Sequence, residues 1–266
     1  MKIQILLFIT AFLLIPGCSD REEPVPPKEG KILVLMYHRI VKGDAANLYE
    51  RSVADLEEDL KYLKANNINV IDFNDLEVIA ATGKMPFGNS AIITFDDGDH
   101  SWITLAKPLL LEYKMKATFF LWTYMMGHDS FITWSEVEQM SYYRDGRGER
   151  PFVFGSHTYS HAYLLDTKSG FSTSAEYNSF LDYELRESRK LIESHTPVET
   201  SILSLPYGNG AGDTDIISAA VRNGYKFIRT SRWGAIENAA VDLFSIPSLP
   251  ILDSTTQSEI GDYLDL

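Results

Sequence analysis

The sequence predicts an α/β fold with a mainly parallel sheet, and three observations carry the prediction. Short apolar runs alternate with amphipathic stretches from Lys31 almost to the end of the chain, which is the pattern of repeated strand and helix units. There are enough units for the sheet to close, or nearly close, into a barrel. Three polar segments each follow a strand candidate, which in such a fold gathers them at one rim. The chain has 266 residues, 45% hydrophobic and 23% charged, long enough for one large domain with a substantial core.

KILVLMYH, residues 31–38, reads as a buried strand. A helix follows in SVADLEEDLKYLKANN, where Val53, Leu56, Leu60 and Leu63 share one face. Ser52 and Asp55 mark its start as a Ser-x-x-Asp form of the capping box. INVIDF is expected as a strand over residues 68–73, then a helix at 75–81, then the strand SAIITF at 90–95, bounded by the Asp96-Asp97-Gly98 turn. The alternation continues with a helix at 103–113, strand KATFFLW, helix WSEVEQMSYY, strand FVFGS, a helix at 176–194, strand ILSLPY, a helix at 214–223, strand KFIRT and a last strand near LFSIP. After Asp253 little signal remains, and no internal repeat is visible.

The amino terminus, MKIQILLFITAFLLIPGC, has one basic residue, an apolar run over residues 3–15 and small Gly17 before Cys18. The run is too short to span a bilayer comfortably, which takes about 20 residues. It resembles a bacterial lipoprotein signal, implying cleavage before Cys18, acylation there, and an extracytoplasmic protein held to a cell envelope membrane by that lipid. SDREEPVPPKEG after the cysteine has almost nothing apolar to bury and reads as a tether. The expected parts are therefore a leader at 1–17, a tether at 18–30 and a folded domain at 31–266. Cys18 is the one cysteine, which excludes an intrachain disulfide and a cysteine-rich zinc site. A formal charge of -13 repels nucleic acid and other polyanions, suits a neutral substrate and attracts a cationic product.

The first polar segment is ITFDDGDHS, residues 93–101. Adjacent carboxylates leaving a strand in a tight turn point different ways, so Asp96 and Asp97 can divide the work of moving a proton and binding a metal; alone, Asp-Asp-Gly is an ordinary turn. The second is GSHTYSH, residues 155–161. His157 and His161 can converge on one ion if the backbone forms a helical turn, and neutral imidazole suits zinc-like metals. One carboxylate and two imidazoles leave positions open for water and a substrate oxygen, the arrangement of a catalytic site. The third is LSLPYGNG, residues 203–210, where Pro206 fixes the backbone ahead of Tyr207 while Gly208 and Gly210 permit close approach.

Together the segments resemble the polysaccharide deacetylases of carbohydrate esterase family 4, the NodB homology domain. Thr-Phe-Asp-Asp-Gly, a histidine pair and Pro-Tyr-Gly stand in the family's order at 94–98, 157–161 and 206–208, and the resemblance extends over about residues 31–252. It implies a distorted (β/α) barrel and a metal-dependent hydrolase removing N-acetyl groups from an extracellular polysaccharide such as poly-N-acetylglucosamine. Asp96 would be the general base; Asp97, His157 and His161 would hold a divalent metal, zinc first, with cobalt or nickel as alternatives. The Tyr207 amide would hold the oxyanion, and Pro206 and Trp233 would contact substrate.

The chain departs from the family twice. Ser204 and Leu205 stand where many members have an arginine before Pro-Tyr that orients the base, and no histidine follows His195 to supply the usual general acid. LVLMYHRI, residues 33–40, resembles the amino-terminal Tyr-His segment of the subgroup acting on poly-β-1,6-N-acetylglucosamine, whose motif order looks permuted; that makes His38 the acid, and the absent arginine fits the same subgroup. Trp122 and Trp134 are further candidates for stacking on sugar rings. Two other functions fit the same residues less fully: an O-acetyl esterase acting on xylan or another acetylated glycan, and a non-catalytic glycan-binding surface lipoprotein.

Overall fold

The computed structural model describes residues 29–266, so the leader, Cys18 and all but the last two tether residues lie outside the described region. β1 (Glu29–Tyr37) starts two residues early, which takes Glu29 and Gly30 from the tether into the sheet. Gly30 lies so close to β5 that a Cβ there would meet the Gly88 carbonyl oxygen at 1.9 Å. There follow β2 (Arg39–Val41), β3 (Glu50–Ser52), α1 (Val53–Ala65), β4 (Asn69–Val70), α2 (Phe73–Thr82), β5 (Gly88–Asp97), α3 (Lys107–Glu112), β6 (Ala117–Leu121), α4 (Trp134–Ser141) and β7 (Phe152–Ser156). The chain continues through α5 (Ser174–His195), β8 (Ile202–Ser204), α6 (Thr214–Arg222), β9 (Phe227–Arg229), β10 (Leu249–Pro250) and α7 (Gln257–Asp262).

The main sheet runs β10-β1-β5-β6-β7-β8-β9, with β4 also on β5, and every pairing is parallel. An irregular segment spans the gap between β9 and β1: Ile246 bonds through both N–H and C=O to the β9 side, and the Ile251 N–H donates to Met36 O at 2.9 Å. The fold is thus a distorted (β/α) barrel, as expected. The last strand lies at 249–250 and not at LFSIP, because Pro247 lacks the N–H that would continue the ladder from Ile246.

Other departures have local causes. INVIDF keeps only two strand residues, since Asp72 caps α2 through the Asn74 and Asp75 amides and draws Phe73 into the helix. The helix expected at 103–113 opens as a π-helical turn, Trp102–Ala106; Pro108 cannot supply the N–H that an α-turn would send to Thr104. ILSLPY leaves the sheet at Ser204 to form a short 3-10 turn, Pro206–Gly208. The carboxyl end holds α7, started by a Thr256/Glu259 capping box.

Strand residues alternate between two cores. Ile32, Val34, Ile92, Phe120, Ile202 and Phe227 fill the barrel interior, while Leu33, Leu35, Tyr37, Ile93, Phe119 and Leu121 pack outward under the helices. Continuing that period of two places Met36, Asp96, Ser204 and Arg229 on the interior face at the carboxyl ends of their strands. Four polar or polarisable side chains are thereby gathered as the top layer of the barrel.

A buried ionic cluster ties the two ends of the domain together. Arg51 Nε and Nη2 donate to the two Asp59 oxygens at 3.0 and 2.7 Å, and Tyr37 Oη and Gln257 Nε2 donate to the same carboxylate at 3.0 and 2.9 Å. Arg51 Nη1 also donates to the Leu252 and Thr255 carbonyls at 3.1 and 2.8 Å, fixing the segment beside Pro250. Burial pushes the Asp59 pKa up, though Arg51 opposes it. Arg51→Met leaves this carboxylate buried without its cation and is expected to cost roughly 3–5 kcal/mol. Thermal unfolding should show Tm lowered by roughly 6–20 °C; an unchanged Tm would mean the cluster adds no stability.

Candidate active site

Asp96 and Asp97 end β5 and diverge because the backbone changes hand between them. Asp96 stays in the strand and is buried, 2% exposed, whereas Asp97 takes φ of 88° and Gly98 φ of 108°. A left-handed aspartate costs on the order of 1–3 kcal/mol and persists only where its surroundings hold it. Here the Trp122 N–H donates to Asp97 O at 3.2 Å and the Ile132 N–H to Gly98 O at 2.9 Å.

The histidines follow β7. The helical turn expected for them does not form: Thr158 and His161 take left-handed φ of 62° and 61°, and a side-chain framework bends the loop instead. The Thr158 N–H donates to Ser156 Oγ at 3.1 Å and the His161 N–H to Thr158 Oγ1 at 3.0 Å. Glu184 of α5, itself buried, accepts from the Ser160 N–H and Oγ at 2.8 and 2.7 Å. His157 Nδ1 donates to the Ser204 carbonyl at 2.9 Å, which sets the tautomer and leaves Nε2 as the lone-pair nitrogen. The His161 ring lies between Trp122, stacked at 4.7 Å, and Tyr207, edge-on at 4.8 Å.

Asp97, His157 and His161 converge as the motif requires. Asp97 Oδ1 is 3.4 Å from His157 Nε2 and 3.3 Å from His161 Nε2, and the three ligand atoms lie within 4.8 Å of one another. Ligands ~2.0–2.2 Å from a tetrahedral ion stand about 3.3–3.6 Å apart, so the two shorter separations match a zinc-type centre. His161 Nε2 is buried without a hydrogen-bond partner, an atom in need of a cation. Burial would raise the Asp97 pKa, but His157 and His161 beside it outweigh that and hold it well below the usual carboxylate range. The group is therefore an anion at neutral pH and fit to ligate.

Asp96 is held from one side. Its Oδ2 accepts from Arg229 Nη2 and from Ser204 Oγ, the latter at 3.2 Å, while Oδ1 is buried with no partner. Burial alone would raise its pKa; Arg229 foremost, with His157 and His38, lowers it below the usual value. An ionised carboxylate with one oxygen fixed and the other free is equipped to take a proton.

Arg229 is the side chain at this site that motif reading missed. Ser204 occupies the place of the family's arginine, and a fully buried guanidinium from neighbouring β9 reaches the same carboxylate. A signal was present: an arginine on the interior face of an apolar strand must find an anion, because charged side chains are almost never buried unpaired. Arg229→Met should keep its metal and lose roughly 10–100-fold in kcat, the usual effect of removing an orienting partner. Metal content and rate measured on one sample check this; a normal rate would remove Arg229 from the machinery.

These groups open into a cleft of about 390 Å³ that His38, Asp96, Asp97, His157, His161, Tyr207 and Trp233 help to line. His38 follows β1, with its carbonyl accepting from Trp102 Nε1 at 2.8 Å and its ring 4.9 Å from Tyr49. Burial lowers its pKa despite the pull of Asp96 and Asp97. Tyr207 sits at φ of 58° and is 57% exposed. Pro206 is buried and, rather than lining the cleft, sets the turn that presents Tyr207. Trp122 backs His161 and Trp134 stacks on His195 at 4.5 Å, so neither belongs to the cleft wall; Trp233 does.

Comparisons with known proteins agree with this geometry. The sequence profile of the family described as polysaccharide deacetylase matches residues 84–228. The poly-β-1,6-N-acetyl-D-glucosamine N-deacetylase of Staphylococcus epidermidis is 25% identical over 264 residues, covering 92% of this chain and 87% of its own. A Streptococcus pyogenes deacetylase solved in complex with acetate superposes with a TM-score of 0.75 at 21% identity, covering 89% of this chain and 99% of that one. A de-N-acetylase from Aggregatibacter actinomycetemcomitans gives a TM-score of 0.74 at 20% identity, covering 88% and 100%. With the profile spanning more than half the chain and its motif residues meeting in one cleft, this protein belongs to the polysaccharide deacetylase family of hydrolases.

Proposed function

We propose that this protein removes acetyl groups from the amide nitrogens of an extracellular polysaccharide of the poly-N-acetylglucosamine kind. The observation that carries the reading is the meeting of Asp97, His157 and His161 next to the Asp96 carboxylate, whose Oδ2 stands 3.8 Å from His157 Nε2. Those three residues would hold a divalent ion, zinc in the first instance, which when bound would supply a Lewis acid for the acetyl carbonyl and acidify water. Asp96 Oδ1 takes the proton of the attacking water while Arg229 and Ser204 keep its other oxygen still. The Tyr207 N–H donates to the oxyanion, and Trp233 borders the acetyl group.

His38 passes a proton to the departing nitrogen. Burial lowers its pKa, and the proton it passes on is the one that Asp96 takes from the attacking water, so the step needs no other proton source. An amine leaves poorly unless protonated, so a histidine in this position favours amide over ester hydrolysis. The names of the Staphylococcus relatives support the same substrate class.

We assign the deacetylase domain, residues 31–266 together with Glu29 and Gly30 of β1, to the outside of the cytoplasm, attached by lipid on Cys18 through the tether. The leader's charged, apolar and small-residue pattern supports the placement. Among the described residues no helix is long and apolar enough to cross a membrane.

Acetate release decides the function. Oligomers of N-acetylglucosamine should release acetate, a chelator should stop it, and zinc, cobalt or nickel should restore it. Release from acetylated xylan alone would make the protein an esterase, and binding of glycan with no release under any metal would make it a binding protein.

A further inference from the structure

The loop that brings in the two histidines also carries an exposed aromatic face. Tyr207, which lines the cleft, has its ring stacked on Tyr163 at 4.0 Å and 2°, and the two are 57% and 47% exposed. On the amino-terminal side of His161, Tyr159 makes edge contacts with Tyr124 at 5.7 Å and Tyr183 at 5.4 Å. Those outer rings are 54% and 45% exposed, and the Tyr124 N–H donates to Tyr159 O at 3.0 Å, fixing the group to the same loop.

Leaving this much ring surface in water is unfavourable unless something covers it, and contiguous exposed apolar area marks a binding surface. The choice of tyrosine narrows the occupant. A phenol offers a flat apolar face with a polar tip, matching a sugar ring with an apolar C–H face and a hydroxyl rim. No ring in the group carries charge, and Glu184 beside Tyr183 is buried and occupied by Ser160, so the face suits a neutral polymer. Tyr207 joins the Tyr163 ring to the cleft, and the Tyr124, Tyr159 and Tyr183 rings form a second patch around the same loop.

We propose that this tyrosine face receives the polysaccharide chain beyond the reacting sugar, so that the enzyme grips several residues of its polymer at once. The inference rests on the deacetylase reading and extends it, with Tyr163 as the nearer platform and Tyr124, Tyr159 and Tyr183 as the farther one.

The test is calorimetric. The full chain in detergent, carrying Asp96→Asn to prevent turnover, is titrated with N-acetylglucosamine oligomers of increasing length. Affinity should rise roughly tenfold from the shortest to the longest. Adding Tyr163→Ala and Tyr183→Ala should abolish that gain, whereas Tyr163→Phe and Tyr183→Phe, which keep the rings, should preserve it. Equal affinity for all lengths, or a gain that survives the alanine pair, overturns the proposal. So does self-association that the alanine pair abolishes without any dependence on length, since the face would then dock a second copy of this chain. Acetate release by the unsubstituted protein is scored separately, so loss of the catalytic reading and loss of this one are distinguishable.

Discussion

Asp96→Asn is expected to retain its metal and lose roughly 10²–10⁴-fold in turnover, the range contributed by a positioned general base. The carboxylate is asymmetric: Arg229 and Ser204 engage Oδ2, and Oδ1 is unpartnered. Asparagine can turn its carbonyl to Arg229 and keep the contact, but the amide then at the free position cannot accept a proton. The ligand set of Asp97, His157 and His161 is untouched, so metal content should match the parent. Acetate release together with metal analysis is the measurement, and a substituted protein that still turns over would remove Asp96 as base. Neutralising a buried partner of Arg229 also lowers stability, so the rates should be compared well below Tm.

His157→Ala should lose metal and activity together, with rates falling to those of the chelated parent, at least as far as in Asp96→Asn. His157 contributes Nε2 at 3.4 Å from Asp97 Oδ1 and is locked by the Ser204 carbonyl at 2.9 Å. Removing it leaves one imidazole and one carboxylate, too few for a zinc-type site, which takes at least three protein ligands. It also strips from Asp97 one of the imidazoles that hold its pKa down, weakening that ligand at the same time. Metal content measured after dialysis, with excess zinc added back, checks the result. A protein that kept both metal and rate would show that His157 is not a ligand, and the pair of outcomes separates base from ligand more sharply than activity alone.

Local chemistry explains what could be read from the residues. The Asp96-Asp97-Gly98 turn, the spacing of His157 and His161, and the Pro-Tyr-Gly turn are short-range features, as is the capping box that starts α1. Boundaries failed where a local signal competed with strand periodicity, as when Asp72 capped α2 one residue before Phe73. Thr256 and Glu259 give α7 the same kind of signal, in a stretch with little apolar periodicity.

By itself, then, the sequence determined the parallel α/β architecture, the ends of strands at which chemistry gathers, and the segments whose Asp96, Asp97, His157 and His161 the fold brings together. It did so because apolar periodicity and turn chemistry act over a few residues. Tertiary structure decided that Arg229, 133 positions away along the chain, steadies Asp96; that the histidine loop converges through left-handed residues without a helix; and that an irregular segment with Pro247 closes the barrel. Each of those outcomes depends on a buried charge or an unpaired backbone group finding its partner across the fold, and only packing chooses that partner.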